Sequence, residues 1–122
     1  MKTILFVDDD VTSLEVTKFL FEQEGYNCKS ALNYEEAMST LESEQVDLAI
    51  IDLRMPGIDG TELIKDIRKK YTFPVIAFTA LDNFDVHEQV IQNGANCVIT
   101  KPCSPNWLLQ TVKELITNVE VK

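Results

Sequence analysis

Leu48-Ala49-Ile50-Ile51-Asp52-Leu53-Arg54-Met55-Pro56-Gly57-Ile58-Asp59-Gly60 joins an apolar run to a turn-forming segment through a single carboxylate. Four consecutive aliphatic residues read as a strand buried on both faces, which is how strands of a helix-covered parallel sheet look. Asp52 then stands at the carboxyl end of that strand. A second run, Ile4-Leu5-Phe6-Val7, ends in Asp8-Asp9-Asp10. Thr79 follows Val75-Ile76-Ala77-Phe78, and Lys101 comes shortly after Val98-Ile99. In an open parallel α/β sheet the strand carboxyl ends share one rim, where ligands bind. Carboxylates, a hydroxyl and an ammonium far apart in sequence are therefore expected to meet in one pocket.

Working outward, apolar runs alternate with helix-like segments along the whole chain. Strands are expected over Thr3 to Val7, Cys28 to Ala31, Asp47 to Ile51, Pro74 to Phe78 and Cys97 to Thr100, the second being short and polar. Thr12-Ser13-Leu14-Glu15, Asn33-Tyr34-Glu35-Glu36 and Asp59-Gly60-Thr61-Glu62 each offer a capping oxygen with Glu at the third helical position. Ser104-Pro105 reads as an N-cap followed by proline in the first turn. Leu108, Val112, Leu115 and Val119 share one face of the last helix, and Gly25 and Gly94 sit where the first and fourth helices should stop. About five strands alternating with five helices fit an α/β, flavodoxin-like doubly wound (βα)5 fold with a five-stranded parallel sheet in the order 2-1-3-4-5. In that order the first and third strands are neighbours, which sets Asp8, Asp9 and Asp52 side by side.

With 122 residues the chain is long enough for one cored domain, expected to span 1–122, and too short for two. Hydrophobic residues make up 45%, as in a globular protein rather than a disordered one. No apolar run approaches the roughly 20 residues that cross a bilayer. Met1-Lys2-Thr3 leads straight into a strand-like run without the features of a signal peptide, so a cytoplasmic location is expected. A net charge of −9 argues against direct nucleic-acid binding. Cys28, Cys97 and Cys103 are odd in number and lack C-x-x-C spacing, so they read as reduced structural thiols rather than a disulfide framework or zinc site. His87 has no nearby Cys or second His and reads as an exposed surface residue.

Several carboxylates within a few ångströms repel one another unless protons or a cation neutralise them. Mg²⁺ suits such a site, since it uses one or two carboxylates and keeps several waters. Asp9 and Asp52 are the expected direct ligands, Asp8 the holder of a coordinated water, and Asp10 a cap on the first helix. A carboxylate in such a site can attack a phosphoryl group and form an aspartyl phosphate. Charge on the transferring group spreads over its equatorial oxygens, and Lys101, Thr79 and backbone N–H groups would receive it.

Asp8-Asp9, Asp52-x-x-Met55-Pro56-x-x-Asp59-Gly60, Thr79-Ala80 and Lys101-Pro102, in this order and spacing, make the chain resemble a receiver domain of bacterial two-component response regulators over essentially its whole length. The resemblance implies Asp52 as phosphoacceptor, Asp8 and Asp9 as metal-binding acids, and the Arg54 carbonyl as a further metal ligand. It also implies Thr79 as switch hydroxyl, Lys101 as partner of the phosphoryl group, and a cis Lys101–Pro102 bond. A sensor histidine kinase or histidine phosphotransfer protein would donate the phosphoryl group. A downstream effector would read the surface of the fourth helix, fifth strand and fifth helix, with Phe84 and Trp107 as contacts. The domain would be a monomer or a weak, phosphorylation-dependent dimer, a signalling domain rather than an enzyme. One position departs from the family: Val98 stands three residues before the lysine, where a Tyr or Phe usually rotates on activation. A β-branched aliphatic cannot make that rotation.

Two other readings compete. Asp8-x-Asp10-x-Thr12 matches the nucleophile motif of haloacid-dehalogenase-like phosphatases, but the chain is short for their core, no acidic pair follows the lysine, and Asp52 would go unexplained. A receiver-like interaction module that is never phosphorylated would be expected to lack a site residue, and none is missing.

Overall fold

β1 (Thr3–Val7) and β3 (Leu48–Asp52) are buried at every position, which only a sheet covered on both faces allows. The computed structural model describes residues 1–54, 60–80, 84–101 and 103–121, with side chains to residue 117. Between and beyond those strands run α1 (Val11–Gln23), β2 (Asn27–Ala31), α2 (Tyr34–Ser43), α3 (Gly60–Lys70), β4 (Val75–Thr79), α4 (Phe84–Gln92), β5 (Cys97–Thr100) and α5 (Pro105–Val121). The strands form a parallel sheet in the order β2-β1-β3-β4-β5, as the alternation of runs predicts. Five strand boundaries, one in β2 and two each in β3 and β4, lie one residue from their expected positions. Among the described residues, no helix is long and apolar enough to cross a membrane.

Side chains alternate across the sheet and divide the core in two. Leu5, Val7, Ala49, Ile51, Val75 and Ala77 pack with residues of α2, α3 and α4. Ile4, Phe6, Leu48, Ile50 and Ile76 pack with Leu14 and Phe21 of α1 and Leu108, Val112 and Ile116 of α5. Leu115 is only partly buried, and Ile116 takes the deeper place on that helix face. β2, the polar strand, is an edge with Lys29 and Ser30 less buried than their neighbours, which suits a strand that must not recruit another chain.

The helix punctuation is mostly as expected, with one correction. The N-cap of α1 is Asp10, as expected of that carboxylate, and the competing Thr12 cap falls: the Asp10 carboxylate accepts from the N–H groups of Thr12 and Ser13 at 3.1 and 3.3 Å. An extended Asp just past the strand reaches the free N–H groups first, so the helix begins before Thr12 can cap it. Asn33 caps α2 by accepting from Glu36 N–H, while the Glu36 carboxylate accepts from Leu32 N–H, each at 2.8 Å. Ser104 Oγ accepts from Trp107 N–H at the start of α5. Gly25 and Gly94 have φ of +93° and +124° and close α1 and α4, each with the crossed pair of backbone bonds of a Schellman motif. The Asp59 cap, the Met55–Pro56 segment and the Lys101–Pro102 bond involve positions outside the described residues.

At the end of the sheet opposite the acidic rim, Arg68 ties several segments together. Its guanidinium donates to the carbonyls of Gly94, Tyr71 and Phe73 and to Asn96 Oδ1, at 2.8–3.1 Å. Asn96 Oδ1 also accepts from Val75 N–H, so one side-chain oxygen joins the start of β4 to the end of α3.

Gly60 fixes the other end of α3. Its N–H donates to the Leu53 carbonyl at 3.2 Å, and a Cβ there would lie 2.6 Å from the Asp52 carbonyl oxygen and 2.7 Å from Leu53 Cα. Backbone cannot yield as a flexible side chain does, so only glycine lets the helix start this close to the end of β3. Gly60→Ala is expected to destabilise the domain by about 2 kcal/mol, the scale of an overpacked core site. Urea unfolding of the two proteins measures it.

Candidate functional site

Register determines what meets at the rim. Val7 pairs with Ile51, Asp52 with Phe78, and Thr79 with Thr100. The next residues out are therefore Asp8 beside Asp52, and Lys101 beyond Thr79. Asp8 N–H donates to the Ala31 carbonyl, Leu53 N–H to the Phe78 carbonyl, and Lys101 N–H to the Thr79 carbonyl, so the ladder holds each exit in place. Asp52 and Thr79 are buried at their strand ends, an unusual place for a carboxylate unless it is paired.

The expected site residues do come together. Oxygens of Asp8, Asp9 and Asp52 all lie within 4.8 Å of one another. Lys101 Nζ is 3.0 Å from Asp52 Oδ2 and 3.5 Å from Asp8 Oδ2. Asp52 Oδ1 accepts from Arg54 N–H at 2.9 Å, and Asp8 Oδ1 accepts from Asp10 N–H at the same distance. Arg54 thus stands on the turn beside the cluster. Asp10 does not join it: its two oxygens are engaged by Thr12 N–H, Ser13 N–H and the Ser13 hydroxyl. A phosphatase using Asp10 as its acid would need that carboxyl free.

Three carboxylates face one ammonium, and the charges do not balance. Burial pushes the Asp8 carboxyl above its ordinary range, and the charge on Asp52 adds to this, while the Asp10 N–H and Lys101 only partly offset it. On Lys101, burial alone would disfavour the ammonium. The hydrogen bond to Asp52, with the charges of Asp52 and Asp8, outweighs it and holds the amine more firmly protonated than usual. Bonds from Ser13 hold the Asp10 carboxyl below its ordinary range, as befits a cap. The surplus negative charge and the all-oxygen donor set fit a hard divalent cation, with Asp8, Asp9 and Asp52 as residues that could hold it.

A cavity of about 280 Å³ opens beside the cluster, with Asp8, Asp52 and Lys101 at its polar end and Phe6, Leu14 and Leu108 among its apolar walls. One of its residues has a place that the sequence reading missed. Phe78 lays its ring 5.1 Å from Lys101 Nζ; the only sequence signal was its position just before Thr79. Cys103 also lines the cavity, and burial pushes its thiol up, away from the thiolate that reactive cysteines need. His87 is half-buried rather than exposed, because it lies one turn from the buried Val90 on the flank of α4 that turns toward the sheet. Phe84 and Trp107 are exposed, as expected, and Val98 is half-buried against the core.

Residues 4–113 match the family described as the response regulator receiver domain. Among solved structures, the chain is similar to the Francisella response regulator 1452 receiver domain, at 30% identity with a TM-score of 0.92, covering 98% of this chain and 99% of that one. It is also similar to a CheY-like receiver domain protein from Methanospirillum hungatei, at 32% identity and a TM-score of 0.93, covering 98% and 97%. A third similar structure is the response regulator TrrA of Thermotoga maritima in complex with Mg²⁺-BeF, at 35% identity and a TM-score of 0.84, covering 94% and 99%.

The crowding has a signature in stability. Because the Asp8 carboxyl is raised from 3.8 in the fold, the folded protein holds more protons than the unfolded chain between that value and the raised one. Its contribution is therefore fully present below the unfolded value and lost as pH rises through the folded one. In metal-free buffer, Asp8→Asn is expected to be more stable than wild type by about 1 kcal/mol at neutral pH. The difference should shrink toward about pH 4. Urea unfolding at both pH values checks the size and the trend.

Proposed function

Because the chain belongs to the response regulator receiver domains of two-component signalling, we propose that it accepts a phosphoryl group on Asp52 from a sensor histidine kinase or histidine phosphotransfer protein. One observation carries the reading: Lys101 Nζ sits between Asp52 and Asp8 inside a three-carboxylate cluster, so a phosphoryl group arriving at Asp52 finds a cation already in place. A carboxylate oxygen of Asp52 attacks phosphorus, the bond from phosphorus to the donor imidazole nitrogen breaks, and its electron pair returns to the ring. Lys101 exchanges its carboxylate partner for a phosphoryl oxygen, and the Thr79 hydroxyl donates to another. Asp8, Asp9 and Asp52, with the Arg54 carbonyl, would hold Mg²⁺, which when bound supplies positive charge for the phosphoryl oxygens. Two facts support that metal: the oxygen-only donor set, and the Mg²⁺-BeF complex of the similar Thermotoga regulator.

The consequence of phosphorylation is a signal, and its product is a changed surface. Phosphorylation adds about −1.5 to −2 charge. That draws Thr79 and Lys101 inward and moves Ala80 with the start of α4; the rest of the expected responding segment, to Asn83, lies outside the described residues. The readable face is that of α4, β5 and α5, where Phe84 and Trp107 are exposed for a downstream effector. Val98 is stiff at χ1 and already packed against the core, so it takes no part in a rotation. The domain acts as a monomer or a weak, phosphorylation-dependent dimer.

Incubation with acetyl phosphate, with and without Mg²⁺, followed by intact mass measurement, tests the chemistry. A gain of one phosphoryl group is expected only with Mg²⁺, and Asp52→Asn is expected to abolish it. Uptake that survives Asp52→Asn but not Asp8→Asn would favour the phosphatase reading, and no uptake at all would favour a module that is never phosphorylated. Chemical-shift mapping with BeF₃⁻ and Mg²⁺ tests the readout. Large changes are expected at Thr79, Ala80 and α4, with Val98 methyl signals keeping a single rotamer. Rotamer exchange at Val98 with a quiet α4 is the contrary outcome.

A further inference from the structure

The chemistry above uses Lys101 and gives Phe78 no part, yet the two side chains touch. Phe78 pairs in register with Asp52, and its carbonyl accepts from Leu53 N–H at 3.0 Å, so its backbone is fixed to the strand end that carries the acceptor. Its half-buried ring lies 5.1 Å from Lys101 Nζ and lines the same cavity as Asp8, Asp52 and Lys101.

Lysine carries its charge on four rotatable carbons, and two carboxylates alone leave the ammonium a choice between them or of solvent. Its side chain here is 31% exposed, so solvent is within reach. An aromatic face attracts a cation from one direction, and an aliphatic residue of similar bulk packs the stem without holding the head.

The geometry points to Phe78 as a positioning residue for phosphoryl transfer: its ring holds the Lys101 ammonium over the ends of β3 and β4, at Asp52, where the incoming phosphoryl oxygen must find it. This rests on the assignment of Asp52 as acceptor. Positioning of this kind acts on rate, because a group already in place need not be gathered in the transition state.

The test compares wild type, Phe78→Leu, Phe78→Tyr and Asp52→Asn on the full chain. One readout is the Lys101 ε-methylene proton shift; the other is the rate of Mg²⁺-dependent uptake from acetyl phosphate, followed by intact mass. A methylene beside a ring face resonates upfield of the other lysines, a signature that packing alone does not produce. Phe78→Leu is expected to lose the upfield shift and to slow uptake about three- to tenfold, the range a cation–π contact can supply. Phe78→Tyr is expected to keep both. An unshifted Lys101 in wild type, a wild-type rate in Phe78→Leu, or equal slowing in both Phe78 variants would each overturn the inference. If Asp52→Asn abolishes uptake while Phe78→Leu matches wild type, the acceptor stands and the positioning role falls. If uptake survives Asp52→Asn, the acceptor assignment falls and takes the positioning role with it.

Discussion

The acidic cluster at the rim follows from the pairing of Val7 with Ile51. Once those two residues are neighbours, the next ones, Asp8 and Asp52, must leave the sheet together, and Asp9 comes with them. Like charges at this distance oppose folding, and Lys101 offsets only part of the repulsion. The sheet forces the carboxylates together because register, set by the buried aliphatic faces of β1 and β3, outweighs them. A slip of one strand by one residue would exchange the side chains it offers to the two core layers, which are packed with different helices. Hydrophobic burial thus holds a site that electrostatics alone would disperse.

The fold was legible because its strongest signals are local. Doubly buried strands read as unbroken aliphatic runs, and helix ends carry residues with specific capping chemistry. Strand order followed from alternation, since parallel neighbours need crossovers. The misreadings are equally physical. Asp10 was read correctly as a cap, but Thr12 offers a cap oxygen too, and ruling it out requires knowing where β1 lets go of the chain. Asn27, Asp52 and Thr79 are polar residues inside strands, so a hydropathy pattern ends or begins the strand one residue away from the hydrogen-bond ladder.

At the site, the residues at strand ends were legible because topology alone gathers them. Phe78 and Gly60 were not. A cation–ring contact depends on how a lysine from β5 bends back over β4, and nothing in the spacing of Phe78 and Lys101 encodes that bend. Gly60 read only as the residue after a helix cap, whereas its real constraint is the closeness of backbone seven and eight residues upstream. His87 was misjudged because the face that α4 turns toward the sheet depends on helix rotation, which one isolated polar residue does not reveal.

Arg68 gives the domain an asymmetry along its strands. At one end, charges are crowded and imperfectly balanced. At the other, a single guanidinium donates to the carbonyls of Gly94, Tyr71 and Phe73 and to Asn96 Oδ1. The chain just past α4 is therefore bolted to α3, while the helix begins five residues after Thr79, on the side of the sheet's acidic rim. A helix fastened at its foot and pulled at its head behaves as a lever: it tilts rather than slides. On the proposed reading, small displacements at the acidic rim would become angular ones, larger at Phe84 than at Gln92.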